Sequence, residues 1–152
     1  MDFRFNQLRH VKKVQWKQQC DWWCEVTDGF SWYGYCLKKE CKALKNLFVI
    51  NRGYGIFKLD QELEGLCCPV CKKKKFELCN IGFVNCEWAI KGALKSSPDQ
   101  KIFADGQTFD DKLYTFTEAD YKTSFSYLNV FVKTKSFNGF LNVVSAVSEE
   151  DS

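Results

Sequence analysis

Cys36-Leu37-Lys38-Lys39-Glu40-Cys41 and, further along, Cys68-Pro69-Val70-Cys71 are the stretches that decide how this chain folds. Each offers two thiols within a turn, and the segment between them is rich in Gly and in aromatic or β-branched side chains. Four thiolates gathered from two tight turns close a tetrahedral zinc shell with no open position, so the metal would be structural and would not touch a substrate. A thiol must lose its proton to bind, and a Cys-Pro-x-Cys turn aims successive backbone N–H groups at the sulfurs, stabilising the charge. Zn is therefore the expected cofactor, held by Cys36, Cys41, Cys68 and Cys71. Cys67 is an alternative to its neighbour, but the turn geometry favours Cys68.

The other cysteines are Cys20, Cys24, Cys79 and Cys86, and His10 is the single histidine. Cys20 and Cys24 fall on one face of a helix and are candidates for a second metal site, although a free thiol is also a common small core residue. Cys79 and Cys86 are expected to pack inside a sheet.

Working outward, Phe30 to Tyr35 reads as a strand that follows the turn Thr27-Asp28-Gly29 and delivers Cys36 into the first knuckle. Leu47 to Ile50 and Tyr54 to Leu59, around Asn51-Arg52-Gly53, read as a hairpin. Asp60 to Gly65 is a polar lead into the second knuckle. Phe76 to Cys79 and Cys86 to Leu94 read as strands separated by Asn80-Ile81-Gly82, with a break at Ser96-Ser97-Pro98-Asp99. Lys101 to Ala104 and Thr108 to Phe116 follow as strands around Asp105-Gly106. Thr117-Glu118-Ala119-Asp120 resembles a helix-starting capping pattern. Tyr127 to Lys133 alternates cleanly, with Leu128, Val130 and Val132 on one face. A short helix or mixed segment is expected within 7–26, and one more strand within 137–147. The reading is a mainly β protein, with small α+β as the variant: a zinc ribbon continuous with an antiparallel sheet, and one or two short helices. It divides into a basic, aromatic segment over 1–28, the β domain over 29–147 and an acidic tail over 148–152.

At 152 residues the chain fits one domain, and a domain of this size buries about 68–70% of its unfolded surface. Apolar content of 45%, with 14 Phe and 5 Trp against 2 Pro, opposes disorder except at the ends. A net charge of +3 carries no general attraction to nucleic acid or anionic membrane, so local patches matter more than the total. No apolar stretch approaches the ~18 residues a bilayer span needs, and the start lacks the apolar core of a secretory signal. The chain is expected to be soluble and intracellular, cytoplasmic or nuclear, in a reducing compartment with no membrane partner.

Residues 34–71, from Gly34-Tyr35-Cys36 through Gly53-Tyr54-Gly55-Ile56-Phe57 to the Cys68-Pro69-Val70-Cys71 turn, resemble zinc ribbons with a rubredoxin-type knuckle. A wider pattern, including Gly82-Phe83-Val84-Asn85-Cys86-Glu87-Trp88 and Tyr127-Leu128-Asn129-Val130, is similar to an uncharacterised cysteine-rich family of unicellular eukaryotes, over about residues 29–133. The resemblance implies a folded zinc module and carries no activity. The first knuckle departs from the commonest ribbon spacing, with four residues between its cysteines where two are usual.

Enzyme chemistry finds little footing. One histidine limits any Cys-His pair, Asp105, Asp110 and Asp111 do not match a calcium loop, and Gly53-Tyr54-Gly55 lacks the rest of a dinucleotide motif. A cross-braced two-zinc ligase fold would need about eight ordered ligands with a histidine near their middle. No catalytic residue and no small-molecule substrate are expected. Two binding classes remain. In the first, zinc fixes a scaffold on which Trp16, Trp22, Trp23 and Tyr33 anchor a protein partner within a complex, against the ordinary alternative that such aromatics belong to the core. In the second, Lys12, Lys13, Lys17, Lys38, Lys39, Lys72, Lys73, Lys74 and Lys75 contact nucleic-acid phosphates, against the alternative of solvated turns.

Overall fold

Alternating apolar side chains on strands from both halves of the chain bury one face each, and they do so against one another. The computed structural model describes residues 2–3, 11–14, 22–44, 46–116 and 123–134. The strands are β1 (Asp2–Phe3), β2 (Val11–Val14), β3 (Gly29–Cys36), β4 (Leu47–Gly53), β5 (Gly55–Lys58), β6 (Phe76–Val84), β7 (Glu87–Leu94), β8 (Ser97–Gln107), β9 (Leu113–Phe116) and β10 (Thr123–Lys133). A 3-10 turn (Trp22–Cys24) and one helix, α1 (Leu59–Gly65), complete the described elements. The mainly β expectation, with a short helix, holds.

The strands form two antiparallel sheets. One runs β1-β10-β7-β8, with β5 also paired to β10; the other runs β2-β9-β6-β3-β4. Phe30 and Trp32 of β3, Ile81 and Phe83 of β6, Trp88 and Ile90 of β7, and Leu128, Val130 and Val132 of β10 make one buried cluster between them. Phe83 and Trp88 lie 4.6 Å apart and stacked, and Phe30 meets Trp32 edge-on at 4.8 Å. Such aromatic pairs add about 0.5–1.5 kcal/mol each beyond their buried area.

Several expected boundaries move, each for a physical reason. The expected hairpin of β4 and β5 does not form: β4 pairs with β3 and β5 with β10, so Gly53-Tyr54-Gly55 carries the chain from one sheet to the other. Asn80-Ile81-Gly82 is not a turn but the middle of β6, opposite Tyr33 to Ser31. The apolar alternation slips there because the register shifts between Tyr33 and Gly34. A bulge of this kind resets which side chains face inward, and it places Leu78 in the main core while Cys79 joins Tyr33 and Val49 in another cluster. The true turn is at Asn85-Cys86. Asn85 takes a left-handed φ of 46°, and its side chain donates to Asp28 (3.1 Å) and Asp111 (2.6 Å). Asp105-Gly106 lies within β8, and Pro98 and Asp99 are strand residues after a turn at Lys95-Ser96. The polar lead Asp60 to Gly65 is helical as part of α1.

Glu62 ties that helix to the sheets. Its carboxylate accepts both guanidinium bonds of Arg52 (2.7 and 2.9 Å) and the indole N–H of Trp32 (3.0 Å). Within the expected 7–26 segment, Val11–Val14 is a strand paired with β9. The capping pattern at 117–120 and the strand within 137–147 lie outside the described residues.

Candidate metal centre

β3 ends on Cys36, and β6 begins at Phe76 directly opposite it. The two loops that leave these strand ends carry the other three thiols. In the first, Cys41 N–H donates to the Lys38 carbonyl (3.1 Å) and Leu44 N–H to the Cys41 carbonyl (3.1 Å), which wind the longer four-residue spacer into consecutive turns. In the second, Lys72 N–H donates to the Cys68 carbonyl (2.9 Å), and Cys68 N–H donates to the Lys73 carbonyl (3.0 Å). The loops are joined where Leu37 N–H donates to the Lys75 carbonyl (2.9 Å).

This brings the four sulfurs of Cys36, Cys41, Cys68 and Cys71 within 4.8 Å of one another. Cys36 Sγ and Cys71 Sγ are 3.7 Å apart, as are Cys41 Sγ and Cys68 Sγ. Disulfide sulfurs would stand about 2.0 Å apart. Sulfurs placed about 2.3 Å from a central ion stand about 3.8 Å apart in a regular tetrahedron. Two of the sulfur separations match that value, and the four thiols together could hold a metal ion. Cys36, Cys41 and Cys68 are buried, and Cys71 is partly exposed.

The backbone treats each sulfur as an acceptor. Lys38 N–H points at Cys36 Sγ and Ala43 N–H at Cys41 Sγ, both at 3.4 Å. In the second knuckle the N–H groups of Val70 and Cys71 favour the thiolate of Cys68, and that of Lys73 favours the thiolate of Cys71. Burial pushes the Cys36 thiol up to about 12 and raises Cys68 as well. Burial also opposes ionisation of Cys71, but there the Lys73 N–H and the neighbouring thiols outweigh it and hold the thiol below its ordinary value. A cation must displace these protons, and in doing so it removes the repulsion among four adjacent thiolates.

Apolar packing surrounds the cluster. Ala43 and Phe48 are fully buried beside the cysteines, with Trp23, Val70, Ile50 and Phe76 against them. Ile50 and Phe76 also touch the main core, so the centre closes one end of the sandwich and is continuous with it. Lys72, which follows the last cysteine, has a left-handed φ of 62°. A Cβ in that region costs about 1–2 kcal/mol, while glycine pays about 0.5–1 kcal/mol in chain entropy. Lys72→Gly is therefore expected to stabilise the metal-bound protein by roughly 0.5–1 kcal/mol, read as a higher denaturant midpoint at unchanged slope; a lower midpoint would show that the turn is not held as described.

The remaining expected site residues are dispersed. Cys24 is disulfide-bonded, which takes it out of a second thiolate site, and Cys20 lies outside the described residues. Cys79 and Cys86 are fully buried. Tyr33 is only 5% exposed, so it is a core residue and not a partner anchor. Trp23 is half-buried against the cysteine cluster, Trp22 is 63% exposed, and Trp16 lies outside the described residues. Lys72, Lys73, Lys74 and Lys75 are all exposed, with the Lys74 ammonium donating to the Glu64 carbonyl. Lys13 is paired with Asp110 at 2.9 Å, while Lys17 and the side chain of Lys12 lie outside the description. Sequence reasoning missed Ala43 and Lys73 as N–H donors, a role that any residue two positions past a ligand can fill. A cleft of about 430 Å³ beside the second knuckle is lined by Ile50, Arg52, Glu62, Leu66, Cys67 and Lys72, but its Arg52 and Glu62 already satisfy each other.

No protein-family model, curated protein or solved structure matches the chain.

Proposed function

We propose that Cys36, Cys41, Cys68 and Cys71 hold one structural zinc ion, and that the protein is a non-enzymatic, zinc-stabilised interaction or structural subunit of a larger intracellular assembly. The observation that carries the metal reading is the pair of 3.7 Å sulfur separations inside a cluster of four thiols. All-sulfur tetrahedral sites select zinc or iron, and zinc adds no redox chemistry. Four protein ligands leave no coordination position for a substrate, which supports a structural role. The rubredoxin-type knuckle read from the sequence is supported by the N–H groups directed at the Cys36 and Cys41 sulfurs.

The assembly reading rests on a β scaffold that exposes Trp22, whose chain neighbour Trp23 packs against the cysteine cluster. Free thiols at the metal cluster favour a reducing compartment, and the disulfide at Cys24 pulls the other way. A second reading, nucleic-acid binding, is favoured by the exposed run Lys72 to Lys75 beside the second knuckle. The same lysines also offset the negative charge of four thiolates around a divalent ion, which is why it stands second. Affinity purification of the tagged chain, with half of the lysate treated with nuclease, separates the two. A defined protein set that survives nuclease and physiological salt is expected. Loss of the partners on nuclease treatment, with affinity for a random oligonucleotide falling steeply as salt rises, would replace the first reading by the second.

A further inference from the structure

The four thiols of the cluster are not equally sheltered. Cys36 and Cys68 are fully buried and Cys41 is 8% exposed, with Ala43 and Phe48 buried among them. Cys71 belongs with Val70 to the partly buried margin of the cluster. The two close sulfur pairs differ in the same way: Cys41 with Cys68 is buried, whereas Cys36 with Cys71 is only partly so. Thiols react with oxidants according to their access and thiolate character. An oxidant arriving from solvent therefore meets Cys71 before the other three. Cys67 is the other partly exposed free thiol among the described residues, lining the cleft beside the second knuckle, but it stands outside the four-thiol cluster.

Cys71 also has a partner in place. Its sulfur is 3.7 Å from Cys36 Sγ, and reaching the about 2.0 Å of a disulfide asks for a small movement shared between two side chains. The Cys71 thiolate attacks one oxygen of hydrogen peroxide; an S–O bond forms, the O–O bond breaks and hydroxide leaves. The Cys36 thiolate then attacks the Cys71 sulfur; the S–S bond forms, the S–O bond breaks and a second hydroxide leaves. The two sulfurs have given up two electrons and the peroxide has taken them. Zinc itself exchanges none, but two of its four ligands are consumed. Cys41 and Cys68 alone cannot close a four-ligand shell, so the ion is released. The new bridge joins the end of β3 to the second knuckle, 35 positions away in sequence.

We propose that Cys71 is an oxidation site, at which hydrogen peroxide converts the four-thiol centre to a Cys36–Cys71 disulfide and releases its metal ion. The inference rests on the proposed zinc centre and adds to it that the centre is reversible, loaded while its thiols are reduced and emptied when this one pair is oxidised.

The test treats the zinc-loaded full chain with hydrogen peroxide, follows released zinc with a chromogenic chelator, and maps disulfides by mass spectrometry of peptides cut without reduction. Zinc content before peroxide is added decides the zinc centre by itself; the map decides the oxidation site. Loss of the bound zinc is expected in step with the appearance of one Cys36–Cys71 bridge per chain, and a dithiol reductant with added zinc is expected to restore the loaded form. Cys67→Ser is expected to release zinc at the parent rate, within about twofold, because that thiol has the exposure but no place in the cluster. Zinc retained after peroxide overturns the proposal. So does a first bridge between any other pair of cysteines, zinc loss with sulfinic acid at Cys71 and no bridge, or a release that Cys67→Ser abolishes.

Discussion

Stripping the metal with a chelator, or replacing Cys68 by Ser, is expected to lower the melting midpoint by more than about 10 °C. At this chain length 1 kcal/mol moves the midpoint by roughly 2–4 °C, and losing a structural zinc site costs several kcal/mol. The loss is not confined to a surface loop. Cys68 is fully buried, its backbone closes the second knuckle, and the cluster shares Ile50 and Phe76 with the main core. Without an ion, the described residues join the two loops by the Leu37–Lys75 bond, by thiol contacts of 3.7–3.9 Å and by side-chain packing. Cys86→Ser is the control. That thiol is equally buried, but its polar neighbour is Thr108 and it lies outside the cluster. Its variant is expected to keep its metal and melt close to the parent. Acid should act as chelator does. Burial raises Cys36 to about 12 and also raises Cys68, so binding expels protons, and each step downward in pH returns protons to the ligands and weakens the metal. A melting curve unchanged by chelator would remove the structural role assigned to the cluster.

Gly29→Ala is expected to be the most damaging single change away from the metal, at about 3–4 kcal/mol, a size reserved for a few named mechanisms. Two of those mechanisms coincide here. Gly29 has a φ of 99°, a conformation L side chains rarely adopt, and a Cβ there would sit 2.4 Å from the Gly53 carbonyl oxygen. The obstacle is backbone, so no side chain can swing away. Relief requires β3 and β4 to separate at the point where Phe30 pairs with Gly53, directly beside the buried Phe30 and Trp32. Gly53→Ala is the matched comparison. Gly53 also has a positive φ, 74°, but a Cβ there meets nothing within 4 Å. It should cost only the backbone term, about 1–2 kcal/mol. Equal losses for the two variants in denaturant titrations would mean that the close approach is not the cause.

The four-cysteine cluster was legible because metal chemistry constrains sequence locally: two thiols in a short turn can be recognised without knowing the fold. The strands on either side of the first knuckle were legible for a related reason, since Phe30 to Tyr35 and Leu47 to Ile50 are apolar and bounded by turn residues. What was hidden depends on long-range pairing. Gly53-Tyr54-Gly55 has the composition of a hairpin turn, and only the partners of β4 and β5 show that it crosses between sheets. Asn80-Ile81-Gly82 has turn composition too, yet Asn80 sits in the sheet with its side-chain N–H donating to the Phe116 carbonyl at 2.9 Å. A bulge in the pairing with β3 breaks the alternation that would otherwise mark one long strand. Tyr33 illustrates the same limit for function. An aromatic residue in a strand has two faces to choose from, and this one packs with Val49, Cys79, Val84 and Leu113.

Native mass spectrometry of the purified full-length chain, with the metal identified by elemental analysis, bears most directly on the site. One zinc ion per chain is expected, lost in Cys68→Ser and in Cys71→Ser and retained in Cys86→Ser. A folded, metal-free chain whose melting does not respond to added zinc, or a chain that carries iron at these cysteines, would contradict the structural zinc centre.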